Sequence, residues 1–169
     1  MAVGCGFGEV PTPASECVGV FLAAGATNGD GSRSSPVNTI DFAVARLKEL
    51  ETSGALAFGG NLYICGSDAF QAMSTIDLPA NVSVWGGLSC GTWTWGSDAD
   101  PHPSLHGPAI ALVTNGGSAT LSHVDITNDV GDTVMADGQT SVAVLALSTA
   151  LKLDHVSLTA RAGHAGAPG

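Results

Sequence analysis

Three short hydrophobic bursts with β-strand character follow one another closely within residues 61–90. They occupy residues 62–65, 75–78 and 82–85, and proline, asparagine and glycine residues lie between and after them. Strands this short, with no helix between them, do not suit doubly wound α/β units. They fit the successive faces of a chain that winds onto itself. The segment therefore predicts an all-β solenoid, namely a parallel β-helix.

An internal repeat points in the same direction. The segment 110–113 (IALV) is matched 32 residues later by 142–145 (VAVL), and 121–127 (LSHVDIT) is matched at the same offset by 153–159 (LDHVSLT). Leucine, histidine, valine and threonine are identical in the second pair. An equal offset in two places is typical of structural repeats of one length. We therefore expect these segments to stack in register as two coils.

Composition and charge limit the classes of partner. The 169 residues carry a net charge of −10 and only five lysines and arginines. Nucleic-acid binding requires a basic surface, so this class is excluded, and anionic membrane surfaces are disfavoured for the same reason. No apolar run has the length of a transmembrane helix, and residues 1–9 lack the basic start and apolar core of a signal peptide. The length suits one domain with its own core.

Four cysteines occur without a CxxC pair: Cys5, Cys17, Cys65 and Cys90. This spacing does not favour structural zinc, and disulfides, which indicate an oxidising compartment, are the preferred interpretation. Cys65 ends one predicted strand and Cys90 follows the glycine corner one coil later, within reach of a disulfide. Cys65–Cys90 and Cys5–Cys17 are therefore the predicted pairs, and reduced, buried thiols are the alternative. Residues 2–5 (AVGC) also resemble a bacterial lipoprotein cleavage site, which makes a lipid anchor at Cys5 a further alternative.

Residues 38–51 form the one convincing helix of the sequence. Its apolar residues share one face at helical spacing, and they are Ile40, Ala43, Val44, Leu47 and Leu50. Asn38 is the expected N-cap, and Gly54 marks the exit. Because the open end of a solenoid exposes backbone groups and core side chains, we expect this amphipathic helix to cap that end.

The sequence divides into three regions. Residues 1–17 are a disulfide-tied lead-in, residues 18–160 are the β-helix domain, and residues 161–169 are a glycine-rich tail. The tail offers no cap for the last coil. We therefore expect either further sequence beyond it or docking of that coil on another copy or a partner.

The order of these elements resembles the N-terminal, capped part of right-handed parallel β-helix proteins of the pectin-lyase-like superfamily. The resemblance is carried by GVFLAAGATNGDGS at 19–32, by Ser35-Pro36 and Thr39-Ile40 at the helix start, and by LPANVSVWGGLSC at 78–90. It covers residues 18–95 well and 109–160 more loosely. Proteins of this kind include large bacterial surface or secreted proteins of unassigned function. The resemblance implies a single-stranded right-handed β-helix and leaves the activity open, because the fold hosts lyases, hydrolases, adhesins and passive stalks.

Carboxylates are the candidate catalytic groups, since polysaccharide hydrolases on this fold use clustered aspartates as acid and base. The weak candidates are Asp125, Asp129, Asp132, Asp137 and Asp154, with His123 and His155 beside them. The Asp-Asp, Gly-His-Gly and Arg-x-Lys elements of polygalacturonases do not occur. Lyases need a basic residue beside a uronic acid, and Lys152 and Arg161 are the only basic residues after Lys48. An acidic surface does not attract acidic sugars, so no catalytic residue is assigned.

Two pairs of side chains are candidates for binding. If the repeated strands stack in register, His123 and His155 lie one above the other, where they bind a transition metal, relay a proton, or form a ladder of like residues. The ladder is the preferred interpretation, and no metal or cofactor is predicted. Trp93 and Trp95 share a face if extended and are a candidate carbohydrate platform, while packing over the first coils is favoured. His102 is expected to be an exposed loop residue.

These patterns together predict a non-catalytic structural or interaction module that is extracellular or displayed on a bacterial cell surface. The alternative is a carbohydrate-active enzyme, either a polysaccharide lyase or a glycoside hydrolase, or a carbohydrate-binding module. The expected partners are a polysaccharide, a cell-surface protein, or a second copy bound through the uncapped C-terminal coil.

Overall fold

The computed structural model describes residues 18–95, 101–128 and 140–162. The described residues form one α-helix and ten β-strands. In chain order these are β1 (Gly19–Leu22), α1 (Ile40–Thr52), β2 (Gly60–Cys65), β3 (Ala69–Gln71), β4 (Ile76–Leu78), β5 (Val82–Leu88), β6 (Ser104–Gly107), β7 (Ile110–Ser122), β8 (Asp125–Asn128), β9 (Val142–Asp154) and β10 (Ser157–Thr159).

The strands form two parallel sheets. The six-stranded sheet has the order β1-β2-β5-β7-β4, with β9 also paired to β7, and the four-stranded sheet has the order β10-β8-β6-β3. Along one edge, the first half of the long strand β7 pairs with β4 at Leu112 and its second half pairs with β5 at Leu121, while β9 pairs with the other edge. β7 therefore links the early strands to the β9 edge.

The fold is mixed α/β, and the prediction of an all-β, right-handed parallel β-helix is wrong. β1 and β2 are parallel neighbours in the six-stranded sheet, and α1 lies in the connection between them. Parallel neighbours require a crossover connection, which is usually helical. The sequence predicted a helix at 38–51, but as a cap on the end of a solenoid and not as part of a crossover.

The helix is also not the predicted amphipathic cap. It packs against β1 and β4 with Ile40, Ala43 and Leu47 buried, but it leaves Phe42 53% exposed. Its N-cap is Thr39, whose side chain accepts a hydrogen bond from the backbone N–H of Phe42, and not Asn38. The helix is therefore part of the crossover between β1 and β2, and its solvent-facing side carries apolar as well as polar residues.

The predicted register of the internal repeat is confirmed. Leu121 pairs with Leu153 in β7 and β9, and Asp125 pairs with Ser157 in β8 and β10, both at the repeat offset. Equivalent residues of the repeat therefore stand beside each other in neighbouring parallel strands. The two copies differ in environment, since Leu121 is fully buried and Leu153 is 46% exposed.

A second, aromatic core lies apart from the main aliphatic core. It contains Phe21, Ala23, Tyr63, Cys65, Trp85, Leu88 and Trp93. Phe21 stacks on Tyr63 with a centroid distance of 4.7 Å. The Trp85 indole N–H donates to Asn61 Oδ1 at 2.7 Å, so its polar edge is satisfied.

The Tyr63 hydroxyl is the exception in this core. Tyr63 is 1% exposed, and its hydroxyl has no hydrogen-bond partner within the described residues. A buried hydroxyl without a partner loses its hydration and gains no bond in return. Burial also raises the pKa of Tyr63 above its ordinary value, because the phenolate is poorly solvated there.

We expect Tyr63→Phe to raise the free energy of unfolding by about 1 kcal/mol near neutral pH, because it removes the unsatisfied hydroxyl. The wild type should lose further stability above about pH 10, since the unfolded tyrosine ionises there and the folded one stays neutral. The variant should lack that loss. Denaturant melts across pH measure both effects, and tyrosinate absorbance reports on Tyr63 directly because the chain has one tyrosine. Phenolate formation in the folded protein at its ordinary pKa would contradict this.

Candidate functional site

Two equivalent turns place His123 and His155 beside each other. Each histidine lies between two strands of the repeat and has a backbone φ of 51°, in the left-handed region that few non-glycine residues adopt. His123 is 4% exposed, and its carbonyl packs against Gly86, where a Cβ atom would collide with it. The close approach of β5 to this turn therefore requires glycine at position 86.

The imidazole rings form the centre of a ring cluster. His123 and His155 stack with a centroid distance of 4.5 Å and an interplanar angle of 18°. Trp95 meets His123 edge-on at 3.8 Å, and His102 meets it edge-on at 5.0 Å. The predicted stacking of the two histidines is confirmed, and two further rings join them from outside the repeat.

A single carboxylate is linked to both stacked imidazoles. Asp154 Oδ1 lies 3.0 Å from His155 Nδ1, and Asp154 Oδ2 accepts from the Ser122 hydroxyl at 3.4 Å. The same hydroxyl lies 2.8 Å from His123 Nδ1. Partial burial acts to raise the pKa of Asp154, but the His155 hydrogen bond and the nearby charges of His155, Lys152 and His123 together lower it below its ordinary value.

The remaining candidate carboxylates do not join this arrangement as a catalytic pair. Asp125 Oδ1 lies 3.8 Å from His102 Nδ1 and accepts from the backbone N–H of Ser157 at 3.3 Å. Within the described residues, no contact joins the carboxylates of Asp125 and Asp154. The candidates Asp129, Asp132 and Asp137 lie outside the described residues.

The two tryptophans lie in different environments. Trp93 is 5% exposed and packs edge-on against Phe21 at 4.8 Å in the aromatic core. Trp95 is half-buried and contacts His123. A carbohydrate-binding role for the pair remains a prediction, and the burial of Trp93 gives it no support.

The predicted disulfide between Cys65 and Cys90 is confirmed, with a Cα–Cα distance of 4.9 Å. It ties the end of β2 to the segment after β5, its neighbour in the sheet. The predicted Cys5–Cys17 pair and the lipid-anchor alternative at Cys5 lie outside the described residues.

The sequence did not predict the part that His102 and Ser122 play at this site. His102 was expected in an exposed loop, yet its side chain is 19% exposed and faces His123 and Asp125. The contacts of the Ser122 hydroxyl with His123 and Asp154 were not predicted. The available signal for Ser122 was the repeat itself, in which Ser122 and Asp154 occupy the same position.

The cluster offers imidazole nitrogens and a carboxylate at one place. Such a set is suited to holding a transition-metal ion or to passing a proton along the Ser122 hydroxyl. Within the described part of the chain, His123, Asp154 and His155 form the one group of three potential ligands whose donor atoms lie within 4.8 Å of one another.

Comparison with known proteins gives no identity to this arrangement. No protein-family model, no curated protein and no solved structure matches the chain. Among the described residues, no helix combines the length and the apolar character needed to cross a membrane, in agreement with the sequence prediction.

Proposed function

We propose that this chain is a non-catalytic structural module of an extracellular or cell-surface protein, and that it pairs with a second copy of itself through the edge strands β9 and β10. One observation carries the proposal. The ladder of paired residues Val20, Leu62, Val84 and Leu121 is fully buried, and it continues in β9 with Leu153, which is 46% exposed.

The four-stranded sheet repeats this pattern. Phe70, Leu105 and Ile126 pair in order and are at most 4% exposed, whereas the next residue, Leu158 of β10, is 42% exposed. Leu147 of β9 is also 44% exposed. Core-type residues thus lie open at one end of both sheets, as expected for a surface that another layer covers.

The other end of the six-stranded sheet is already closed. The free edge of β1 exchanges backbone hydrogen bonds with Gly31 and Val37, at 2.9 Å from Phe21 to each, and α1 packs beside it. Head-to-tail association would join β9 of one copy to β1 of the next. It is disfavoured because the outer edge of β1 is already hydrogen-bonded within its own chain. A two-fold arrangement that pairs β9 with β9 of the second copy uses the open edge on both sides and forms a closed dimer.

Two observations support the non-catalytic and extracellular parts of the proposal. The Cys65–Cys90 disulfide is typical of an oxidising compartment. The two described candidate carboxylates, Asp125 and Asp154, each contact a different histidine, while glycoside hydrolysis requires a facing pair.

Leu153→Lys should convert the dimer to a monomer, since a lysine on an edge strand blocks pairing between sheets. We expect the dimer dissociation constant to rise by at least about tenfold, or 1.4 kcal/mol. Sedimentation equilibrium of the purified oxidised chain over a range of concentrations measures this. Circular dichroism confirms that the variant stays folded, as expected for a half-exposed position.

Met73→Lys is the matched control, because Met73 is an exposed apolar residue at 91% exposure outside β9 and β10. It should dimerise as the wild type does. A wild type that is monomeric at high concentration, or a dimer that both lysine variants leave intact, would refute pairing through β9.

A further inference from the structure

We propose that His123, Asp154 and His155 form a binding site for one divalent transition-metal ion such as Zn²⁺. One donor atom from each residue lies within 4.8 Å of the other two. The site adjoins the edge of the proposed dimer, because Asp154 is the last residue of β9 and His155 follows it, but all three donors come from one chain.

The donor set selects the class of metal. Two imidazole nitrogens and one carboxylate oxygen are donors that zinc and its neighbours in the first transition row accept. Calcium and magnesium prefer sites made of oxygen atoms alone. Three protein donors also leave one tetrahedral position open for water or a further ligand.

The donor atoms, at most 4.8 Å apart, must draw closer to bind one ion. Bonds of about 2.0–2.2 Å place neighbouring donors about 3.3–3.5 Å apart around tetrahedral zinc. His155 Nδ1 and Asp154 Oδ1 are already 3.0 Å apart. The side chains of His155 and Asp154 are 49% and 40% exposed, so they have room to turn toward the metal while the buried His123 stays in place.

The surroundings hold the buried ligand in position and leave the site accessible. The Ser122 hydroxyl contacts His123 Nδ1 at 2.8 Å, which is the kind of outer contact that orients metal-binding imidazoles. The rings of Trp95 and His102 each pack edge-on against the His123 ring. The exposed His155 leaves an entry path for the ion.

The alternative is a ladder of stacked histidines that holds no metal. It also explains the repeat, but it predicts no saturable zinc binding. Zinc titration of the purified oxidised chain, by calorimetry and by competition with a chromophoric chelator, separates the two. The wild type should bind one Zn²⁺ per chain, and zinc should raise its melting temperature, because the ion binds the folded state. His155→Ala and Asp154→Asn should each weaken binding by at least about tenfold and abolish the thermal shift.

His106→Ala is the matched control, because His106 lies on β6 outside the three-residue group. It should bind zinc as the wild type does. Circular dichroism establishes that all variants are folded, which is expected because the substituted residues of the site are half-exposed. Absence of saturable binding by the wild type, or equal binding by His155→Ala, would overturn the assignment.

Discussion

Leu121→Ala is expected to lower the free energy of unfolding by about 3–4 kcal/mol, the largest effect of any single substitution considered for this chain. Leu121 is fully buried and lies in the ladder between Val84 of β5 and Leu153 of β9. Removing its side chain leaves a cavity in the aliphatic core, beneath strands that β-sheet hydrogen bonds hold in place. The neighbours therefore cannot collapse fully into the space.

The repeat supplies a matched control in Leu153→Ala. Leu153 is the register partner of Leu121 but is 46% exposed, so its truncation should cost under about 1 kcal/mol in the monomer. Guanidinium melts at low protein concentration measure both values. A loss below about 1 kcal/mol for Leu121→Ala would contradict the buried position.

The same pair of variants tests the proposed dimer by a second route. If β9 pairs with a second copy, Leu153 becomes buried on association, and the cost of Leu153→Ala should grow with protein concentration. The cost of Leu121→Ala should not, because Leu121 is buried in each copy. A concentration-independent cost for both variants would count against association through β9.

The register of the repeat could be predicted from the sequence because it rests on a physical regularity. Residues at equal positions of neighbouring parallel strands point to the same face of the sheet, so Leu121 and Leu153 recur with the same spacing that the pairing uses. The Cys65–Cys90 bond followed from the same reasoning, since both cysteines lie near the ends of paired strands.

The fold class could not be predicted because it depends on the connection and not on the strands. A helical pattern at 38–51 is visible in the sequence, but its packing against β1 and β4 depends on tertiary contacts distant in the chain. The same pattern serves a cap or a crossover equally well. The packing of α1 against β1 and β4 decides between them.

The ring cluster was predictable only in part, for a related reason. The stacking of His123 on His155 follows from the repeat, but the direction of the rings depends on the left-handed turn at each histidine, which interrupts the alternation of side chains along a strand. His102 and Trp95 reach the cluster from the segment between β5 and β7, which has no counterpart in the repeat. No periodicity in the sequence encodes their approach.

Removal of the Cys65–Cys90 disulfide is expected to lower the free energy of unfolding by about 3 kcal/mol. The bond closes a loop of 25 residues in sequence separation, and its loss frees that loop in the unfolded chain. The variant Cys65→Ala/Cys90→Ala tests this without adding a reductant, and alanine suits the fully buried Cys65 because it introduces no polar group. Guanidinium melts of oxidised wild type and variant give the difference.

Cys5→Ala/Cys17→Ala is the control, because it keeps Cys65 and Cys90 paired while it removes the other two cysteines. We expect it to leave the β2–β5 region as stable as in the wild type. Cys90 is exposed, so a mild reductant should reach the bond and lower the stability of the Cys5→Ala/Cys17→Ala variant by about 3 kcal/mol, since this variant keeps only the Cys65–Cys90 disulfide. If the chain is equally stable with and without the bond, the disulfide no longer supports the proposal of an oxidising compartment. A loss of about 3 kcal/mol is a large part of the stability of a domain of this size. If that loss is measured, the stability of the module depends on the oxidising compartment proposed for it.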